Sequence, residues 1–242
     1  MSDHQHIVSS FDRDLETIQA HIMKMGGMVE RAISDAARSL ETRDDDLAEE
    51  VRGRDKAIDA LEEQINEEAA RVLALRAPAA RDLRVVLTVI KISASLERIG
   101  DYAKNMAKRT SVLSQMTAVS GSPSALRRMA REVEEMLKDV LDAYIQRDVD
   151  LAREVIRRDQ DVDQMYNAIF REFLTFMMED PRNITPCMHL HFIAKNTERM
   201  GDLVTAIAEQ VIYLVSGEFP EDPRPKGDDT STDISIAPKA KA

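Results

Sequence analysis

Acidic side chains recur in pairs one helical turn apart, and these pairs are the residues of the sequence best suited to bind a cation. The pairs are Asp55 with Asp59, Glu97 with Asp101, Asp159 with Asp163, and Glu198 with Asp202. A spacing of four residues places both carboxylates of a pair on one face of a helix. If the helices that carry them run antiparallel, two pairs face each other and bring four carboxylates to one spot. Such an all-oxygen site suits hard or intermediate ions such as Mg²⁺, Mn²⁺ or iron.

The same pairs have a second interpretation, as parts of solvated helix faces. Four bare carboxylates repel one another, so they need water, protons or cations around them. Basic neighbours that could pair with them on the helix surface are Arg54, Arg98, Arg158 and Arg199. The recurrence of the pairs at equivalent positions favours metal binding enough to leave both interpretations open.

A tandem duplication explains why the pairs recur. The segment RDDDLAEEVRGRDKAID at 43–59 aligns without gaps to RDVDLAREVIRRDQDVD at 147–163. Downstream, LERIGD ending at Asp101 matches TERMGD ending at Asp202. The chain therefore contains two copies of one unit.

Helix breakers divide both copies at similar places. Pro78 and Pro181 each follow a long helical pattern, and Ser122 with Pro123 is predicted to cap and open the first helix of the second copy. We predict an all-α protein of two tandem antiparallel three-helix bundles, the first at 1–118 and the second at 119–217. The six helices are predicted at 8–42, 45–76, 79–115, 123–147, 149–179 and 183–216.

Apolar periodicity supports these helices. On the second helix one face carries a stripe that we predict to be core, formed by Val51, Ile58, Leu61, Ile65, Val72 and Leu75. On the first helix of each copy the gap-free alignment pairs apolar positions such as Val29 with Val133. Residues 218–242 combine prolines, charges and small polar residues without a helical period, and are predicted to form a disordered tail.

Each third helix places an apolar row before its acidic pair, and the two rows differ. They are Leu83, Leu87, Ile90, Ala94, Glu97 and Asp101, and Ile184, Met188, His191, Lys195, Glu198 and Asp202. The ammonium of Lys195 competes with a cation for Glu198, so any metal is predicted to favour the first copy. His191 is a further candidate ligand or simply a polar residue of its row, and Asn105 is interpreted as a helix-surface amide.

Composition limits the classes of protein to which the chain can belong. Its 32% charged residues, 4% aromatic residues and lack of Trp are typical of long helices. A formal net charge of −11 argues against nucleic acid as a partner, because phosphates would be repelled. The single cysteine, Cys187, excludes an intrachain disulfide, and the acidic opening residues do not resemble a signal peptide. We therefore expect a cytoplasmic protein that meets the membrane only through partners.

The segments LERIGDYAKNMAKR and NTERMGDLVTAIAEQVIYLVSGE resemble the signature of the PhoU family, as do RDLRVVLTVIKI and MEDPRNITP ahead of them. The similarity covers nearly everything from Ile7 to Glu218. It implies two three-helix bundles whose Glu/Asp-x-x-x-Asp motifs, the four pairs above, hold iron or zinc clusters on the surface. The second motif departs from the family pattern at Leu203, where His is common, and at Ala206, where Asn is common. The departures weaken the expectation of a second metal site more than of the first.

The resemblance also implies a biological role. Members of the family act as negative regulators of phosphate uptake and of the phosphate-starvation response, contacting the ATPase of the high-affinity phosphate transporter and the PAS region of the sensor histidine kinase. We expect a homodimeric adaptor without enzymatic activity, with iron, zinc, manganese or magnesium held by the carboxylates. One alternative is a metal-storing or metal-dependent catalytic helical protein, although the sequence shows no general base, nucleophile or histidine-rich site. A purely structural scaffold would have no need of clustered acids.

Overall fold

Six long α-helices build the computed structural model, which describes residues 2–119 and 121–220, with side chains from residue 13 onward. The helices are α1 Ser2–Thr42, α2 Asp45–Arg76, α3 Arg81–Leu113, α4 Ser122–Gln146, α5 Val149–Glu179 and α6 Ile184–Ser216, and the short 3-10 helix Pro181–Asn183 precedes α6. Within the described ranges there is no strand. The predicted all-α fold is confirmed. The observed helix ends lie close to the predicted ones, except that α1 begins at Ser2 instead of the predicted residue 8.

The two three-helix units share one hydrophobic core. Within each unit all three helices pack against one another, while α1 packs on α4 and α3 packs on α6 to join the units. Side-chain contacts show that α3 and α6 run antiparallel. Arg84, near the start of α3, lies 5.5 Å from the ring centroid of Tyr213 at the end of α6, and Arg109 lies 4.3 Å from Phe192 near its start. The buried cluster is continuous across both units, and the boundary between residues 118 and 119 stays a prediction.

The duplicated Arg-Asp turn begins the second helix of each unit in the same way. Arg43 and Arg147 adopt positive φ angles of 56° and 57°, which reverses the chain after α1 and α4. The next residue is the N-cap: Asp44 accepts a hydrogen bond of 2.9 Å from the backbone N–H of Leu47, and Asp148 accepts one of 3.0 Å from Leu151. A carboxylate at this position satisfies N–H groups that lack a partner in the helix.

Two predictions about individual residues are wrong, and a third cannot be tested. Leu75 is 68% exposed because it lies in the last turn of α2, although the other five members of its stripe are buried. The N-cap of α4 is Gly121, whose φ of 81° is a conformation that favours glycine. Ser122 is instead the first helical residue, and its buried Oγ has no hydrogen-bond partner among the described residues. Most of the predicted tail, residues 221–242, lies outside the described residues.

A glycine in the third helix of each unit allows the second helix to approach closely. A Cβ added at Gly201 would lie 2.9 Å from Oδ1 of Asp159 on α5, and one added at Gly100 would lie 3.1 Å from Cδ1 of Ile58 on α2. Both distances are shorter than ordinary van der Waals contacts. Gly201 therefore leaves the space that Asp159 occupies, whereas Gly100 leaves space for Ile58 and has Oδ1 of Asp55 at an ordinary contact distance of 3.9 Å.

We expect Gly201→Ala to lower the free energy of unfolding by about 1–3 kcal/mol, because the new methyl group would displace the carboxylate of Asp159. Gly53→Ala is the matched control on α2, where nothing lies within 4 Å of the added Cβ. There the helix-favouring alanine should raise stability by roughly 0.5–1 kcal/mol. Urea denaturation of both variants measures the difference. Equal stability of Gly201→Ala and the unmutated protein would contradict the close contact.

Two repeat-equivalent glutamates influence each other where the units meet. Glu30 on α1 aligns with Glu134 on α4. Burial raises the pKa of Glu30 above its ordinary value of 4.5, the charges of Glu134 and Asp142 raise it further, and Lys138 opposes the shift. The ionised carboxylate of Glu30 therefore costs the folded state stability.

Glu30→Gln should stabilise the protein at pH values above the raised pKa of Glu30, where the carboxyl is ionised in the folded and unfolded states and the folded state carries the full cost. The gain should shrink as the pH falls through the raised pKa and vanish below the ordinary value of 4.5, where both states are protonated. Thermal melting at several pH values tests this, with Glu63→Gln on the exposed face of α2 as the control. A gain for Glu30→Gln that does not change with pH would contradict the electrostatic explanation.

Candidate carboxylate sites

The predicted acids of the first unit lie together between α2 and α3. Asp55 is buried with 4% exposure, Glu97 and Asp101 are half-buried, and Asp59 is exposed. Burial raises the pKa of Glu97, and the charges of Asp101, Asp59, Glu62 and Asp55 raise it further, in that order. The structure therefore brings the four predicted carboxylates into one electrostatic environment and adds Glu62 to it.

A lysine that the sequence analysis missed bridges the first site. Nζ of Lys104 donates hydrogen bonds to Oδ1 of Asp101 at 2.6 Å and to Oδ2 of Asp55. These two bonds raise the pKa of Lys104. Burial nevertheless raises the pKa of Asp55, despite the opposing effect of the ammonium. Lys104 follows Asp101 by three residues, so the helical i, i+3 spacing was the available signal.

The predicted acids of the second unit are more deeply buried. Asp159, Asp163 and Glu198 are 3%, 5% and 7% exposed, and Asp202 is half-buried. Nζ of Lys195 lies 2.9 Å from Oε1 of Glu198. Lys195 therefore contacts Glu198 directly, as the predicted competition with a cation requires.

Each unit supplies its lysine from a different position. In the alignment of the third helices, Lys104 corresponds to Thr205 and Lys195 corresponds to Ala94. The ammonium follows the acidic pair in the first unit and precedes Glu198 in the second. The expected preference of a metal for the first unit rested on the apolar row before Glu97 and on Lys195 in the second unit. Lys104 gives the first unit a competing ammonium as well, and the preference stays a prediction.

Arg54 and Arg158, which were expected to pair with the motif carboxylates, pair with other acids. Arg54 pairs with Asp35 at 2.7 Å and with Glu50, and Arg158 pairs with Glu132 at 2.7 Å and with Asp139 at 2.5 Å. None of these acids belongs to the motif pairs. Among the motif carboxylates, Asp55 and Asp101 pair with Lys104, and Glu198 pairs with Lys195.

Carboxylate oxygens are suitable ligands for a hard cation, but Lys104 and Lys195 already form ion pairs with some of these carboxylates. In the described part of the chain, no three His, Cys, Asp or Glu side chains are grouped in a way that could hold a metal ion. A cation at either site would have to displace an ammonium or move the side chains. The assignment of the eight carboxylates to a metal stays a prediction.

His191 lies in a cluster of aromatic rings. Its ring centroid is 6.1 Å from that of Tyr166, 5.4 Å from that of Phe170 and 5.9 Å from that of Phe192. Asn105 is exposed, as expected of a surface amide. Cys187 is buried in the core, where burial first and then the charge of Glu172 raise the pKa of its thiol.

The apolar rows ahead of the acidic pairs are open to solvent. Large side chains from α3 and α6 are between 36% and 47% exposed, namely Leu83, Leu87, Ile184, Met188 and Phe192. Leu83 aligns with Ile184 and Leu87 with Met188, so the exposure recurs in both units. Apolar side chains exposed in a contiguous row are typical of interaction surfaces.

The fold and the duplicated carboxylate motif define a class of all-helical proteins made of two three-helix repeats. The sequence profile of the PhoU domain matches residues 22–110 and 126–211. The chain belongs to the PhoU family. In the described part of the chain no helix is both long and apolar enough to cross a membrane.

Named relatives and solved structures agree with this assignment. The chain is 45% identical over 233 residues to the "phosphate-specific transport system accessory protein PhoU homolog" of Rhizobium meliloti, covering 95% of this chain and 97% of that protein. The crystal structure of PhoU from Pseudomonas aeruginosa has a TM-score of 0.83 at 39% identity and covers 86% of this chain and all of its own. The crystal structure of the phosphate transport system regulatory protein PhoU from Streptococcus pneumoniae has a TM-score of 0.80 at 27% identity, and the match covers 87% of this chain and 99% of that one.

We expect Lys104→Gln to increase the affinity for Mn²⁺, because it removes the cation that neutralises Asp55 and Asp101. Without metal, the variant should lose about 1–3 kcal/mol of stability, since Asp55 is left buried without its charged partner. Isothermal titration and thermal melting with and without Mn²⁺ measure both effects. Lys108→Gln, one turn further along α3 on an exposed position, is the control. Equal Mn²⁺ affinity in the two variants would contradict a competition between lysine and metal.

Proposed function

We propose that this protein is an accessory protein of a phosphate transport system, which restrains phosphate uptake and the phosphate-starvation response when phosphate is plentiful. The observation that carries the proposal is its similarity over nearly its whole length to proteins of that name, at 45% identity. The match extends through both repeats and through both carboxylate motifs.

The proposed mode of action is that of an adaptor in the cytoplasm. It contacts the ATPase subunit of a phosphate transporter and the sensor histidine kinase of the phosphate regulon, reaches the membrane through them, and catalyses no reaction of its own. The two exposed apolar rows support this role, because they offer each unit a surface that a partner or a second copy of the chain can cover. A homodimer is part of the proposal.

Metal binding is a subsidiary part of the proposed function. Iron, zinc, manganese or magnesium would be held by carboxylates of the motif pairs, and the ion would supply the positive charge that Lys104 and Lys195 supply in the structure. The buried aspartates Asp55 and Asp159 support this part, since carboxylate oxygens are the donors that a hard cation prefers. No catalytic step is assigned to the metal.

Deletion of the gene should raise alkaline phosphatase activity in phosphate-rich medium, because the starvation response would lose its restraint. The increase should require both the transporter and the sensor kinase, which deletion of either in the same strain tests. An unchanged phosphatase level in the single deletion would refute the proposed regulation.

Complementation of the deletion strain tests whether the apolar rows are the contact surface. Leu87→Glu and Met188→Glu, which are 43% and 40% exposed, should fail to restore repression while remaining folded by circular dichroism. Leu75→Glu is the control, because this leucine is 68% exposed but lies outside both rows. Restoration by all three variants would exclude the rows as the surface that the adaptor uses.

A further inference from the structure

The first unit contains an apolar cavity that reaches the surface between α1 and α2. Its volume is about 190 Å³, and its walls include Met28, Ala32, Val51 and Ile58. Apolar cavities of about 150 Å³ are large enough to take a benzene ring. The cavity therefore has room for one aromatic side chain.

The second unit has a larger side chain at the position equivalent to Ala32. The gap-free alignment of α1 with α4 pairs Ala32 with Met136, whose side chain is fully buried. A long side chain thus stands where the first unit has a single methyl group. The duplication kept the surrounding core, with Val51 matching Val155 and both buried, but changed the side chain that borders the cavity.

The rim of the cavity is cationic. Arg31 and Arg54 line it, and their guanidinium groups, with that of Arg38, contact Asp35 at 3.5, 2.7 and 2.9 Å. Arg54 also pairs with Glu50, so three guanidiniums face two carboxylates. The three arginine side chains are between 41% and 70% exposed, which leaves them able to bind further anionic groups.

The charge is reversed at the equivalent place in the second unit. Arg31 aligns with Glu135, and a single guanidinium, that of Arg158, faces Glu132, Glu135 and Asp139. One cation thus faces three acids. In a chain with a net charge of −11, the rim of the first unit is an exception that favours an acidic ligand.

The floor of the cavity carries a hydrogen-bond acceptor. Asp55 lines the cavity and is 4% exposed; its Oδ2 accepts from Lys104, while Oδ1 has no hydrogen-bond partner among the described residues. Oδ1 lies 3.9 Å from the Cβ position of Gly100, which also lines the cavity. A buried acceptor without a donor is costly, so a ligand that offers an O–H group there is favoured over a purely apolar one.

We propose that the cavity binds an acidic segment of a protein partner, which inserts one tyrosine side chain. The ring fills the apolar space, the hydroxyl donates to Oδ1 of Asp55, and flanking carboxylates pair with the arginines of the rim. A protein segment fits better than a small molecule, because Arg31 and Arg38 are seven residues apart on α1 and so about 10 Å apart along the helix axis. Tyrosine is also among the residues that most often anchor protein interfaces.

This inference deepens the proposed adaptor role and rests on it only in requiring a protein partner. In the second unit Met136 replaces Ala32 and Glu135 replaces Arg31, so we expect each chain to bind one such segment. Charge-assisted pairs at an exposed rim also make the binding dependent on salt.

Titration of the full-length, methyl-labelled protein with the peptide acetyl-Glu-Glu-Tyr-Glu-Glu-amide tests the proposal. The NMR signal of the Met28 methyl group, assigned with the Met28→Leu variant, should shift and saturate at one peptide per chain. The matched peptide with phenylalanine should bind several-fold more weakly, and the one with alanine at least tenfold more weakly. Equal binding of the tyrosine and alanine peptides, or no shift with the tyrosine peptide, would overturn the proposal.

Two variants separate the cavity from its rim. Ala32→Met places in the cavity the side chain that the second unit has at Met136, and Arg31→Glu introduces the negative charge of Glu135. Each variant should bind the tyrosine peptide at least tenfold more weakly. Glu135→Gln, at the equivalent position of the second unit, should leave affinity unchanged. Undiminished binding to both Ala32→Met and Arg31→Glu would overturn the site, as would equally tight binding of free hexanoate. These results do not depend on the phosphatase phenotype, so failure here is distinguishable from failure of the proposed function.

Discussion

The packing of a buried aspartate against a glycine of the neighbouring helix is the contact on which the carboxylate sites depend. Asp159 lies where a side chain at Gly201 would otherwise be, while beside Gly100 that place is taken by Ile58 and Asp55 lies in ordinary contact at 3.9 Å. A carboxylate in such a position loses most of its water, so a nearby cation is needed to keep it ionised at moderate cost. In the first unit Lys104 meets this requirement by pairing with the buried Asp55.

The two units meet that requirement by different means. Lys104 lies one turn after the acidic pair of the first unit and bridges two aspartates, whereas Lys195 lies before Glu198. Neither lysine has a lysine at the equivalent position of the other unit. Charge compensation was therefore preserved while the residue that provides it moved, which is expected when electrostatic balance matters more than the identity of one side chain. It also means that any metal must compete with an internal cation.

Divergence of the repeats gives the molecule surfaces of different character. The exposed apolar rows recur in both units, whereas the cavity beside Ala32 and its arginine rim lie in the first unit, and the second has Met136 and a cluster of acids at the equivalent positions. A duplicated scaffold with one shared and one unshared surface can contact different partners at the same time. This arrangement suits the proposed adaptor role better than a symmetric protein would.

The sequence by itself determined the six helices, the duplication and the grouping of the acidic pairs of the first unit, because helical periodicity and repeat alignment depend on spacing along the chain. It misplaced Leu75 in the core and overlooked Lys104, although the three-residue spacing from Asp101 was visible. Only the tertiary structure decided which cation reaches which acid, and that Ala32 leaves a cavity. Those features depend on distances between helices. A shift of a few ångströms in packing changes these distances, and the spacing of residues along one helix does not indicate them.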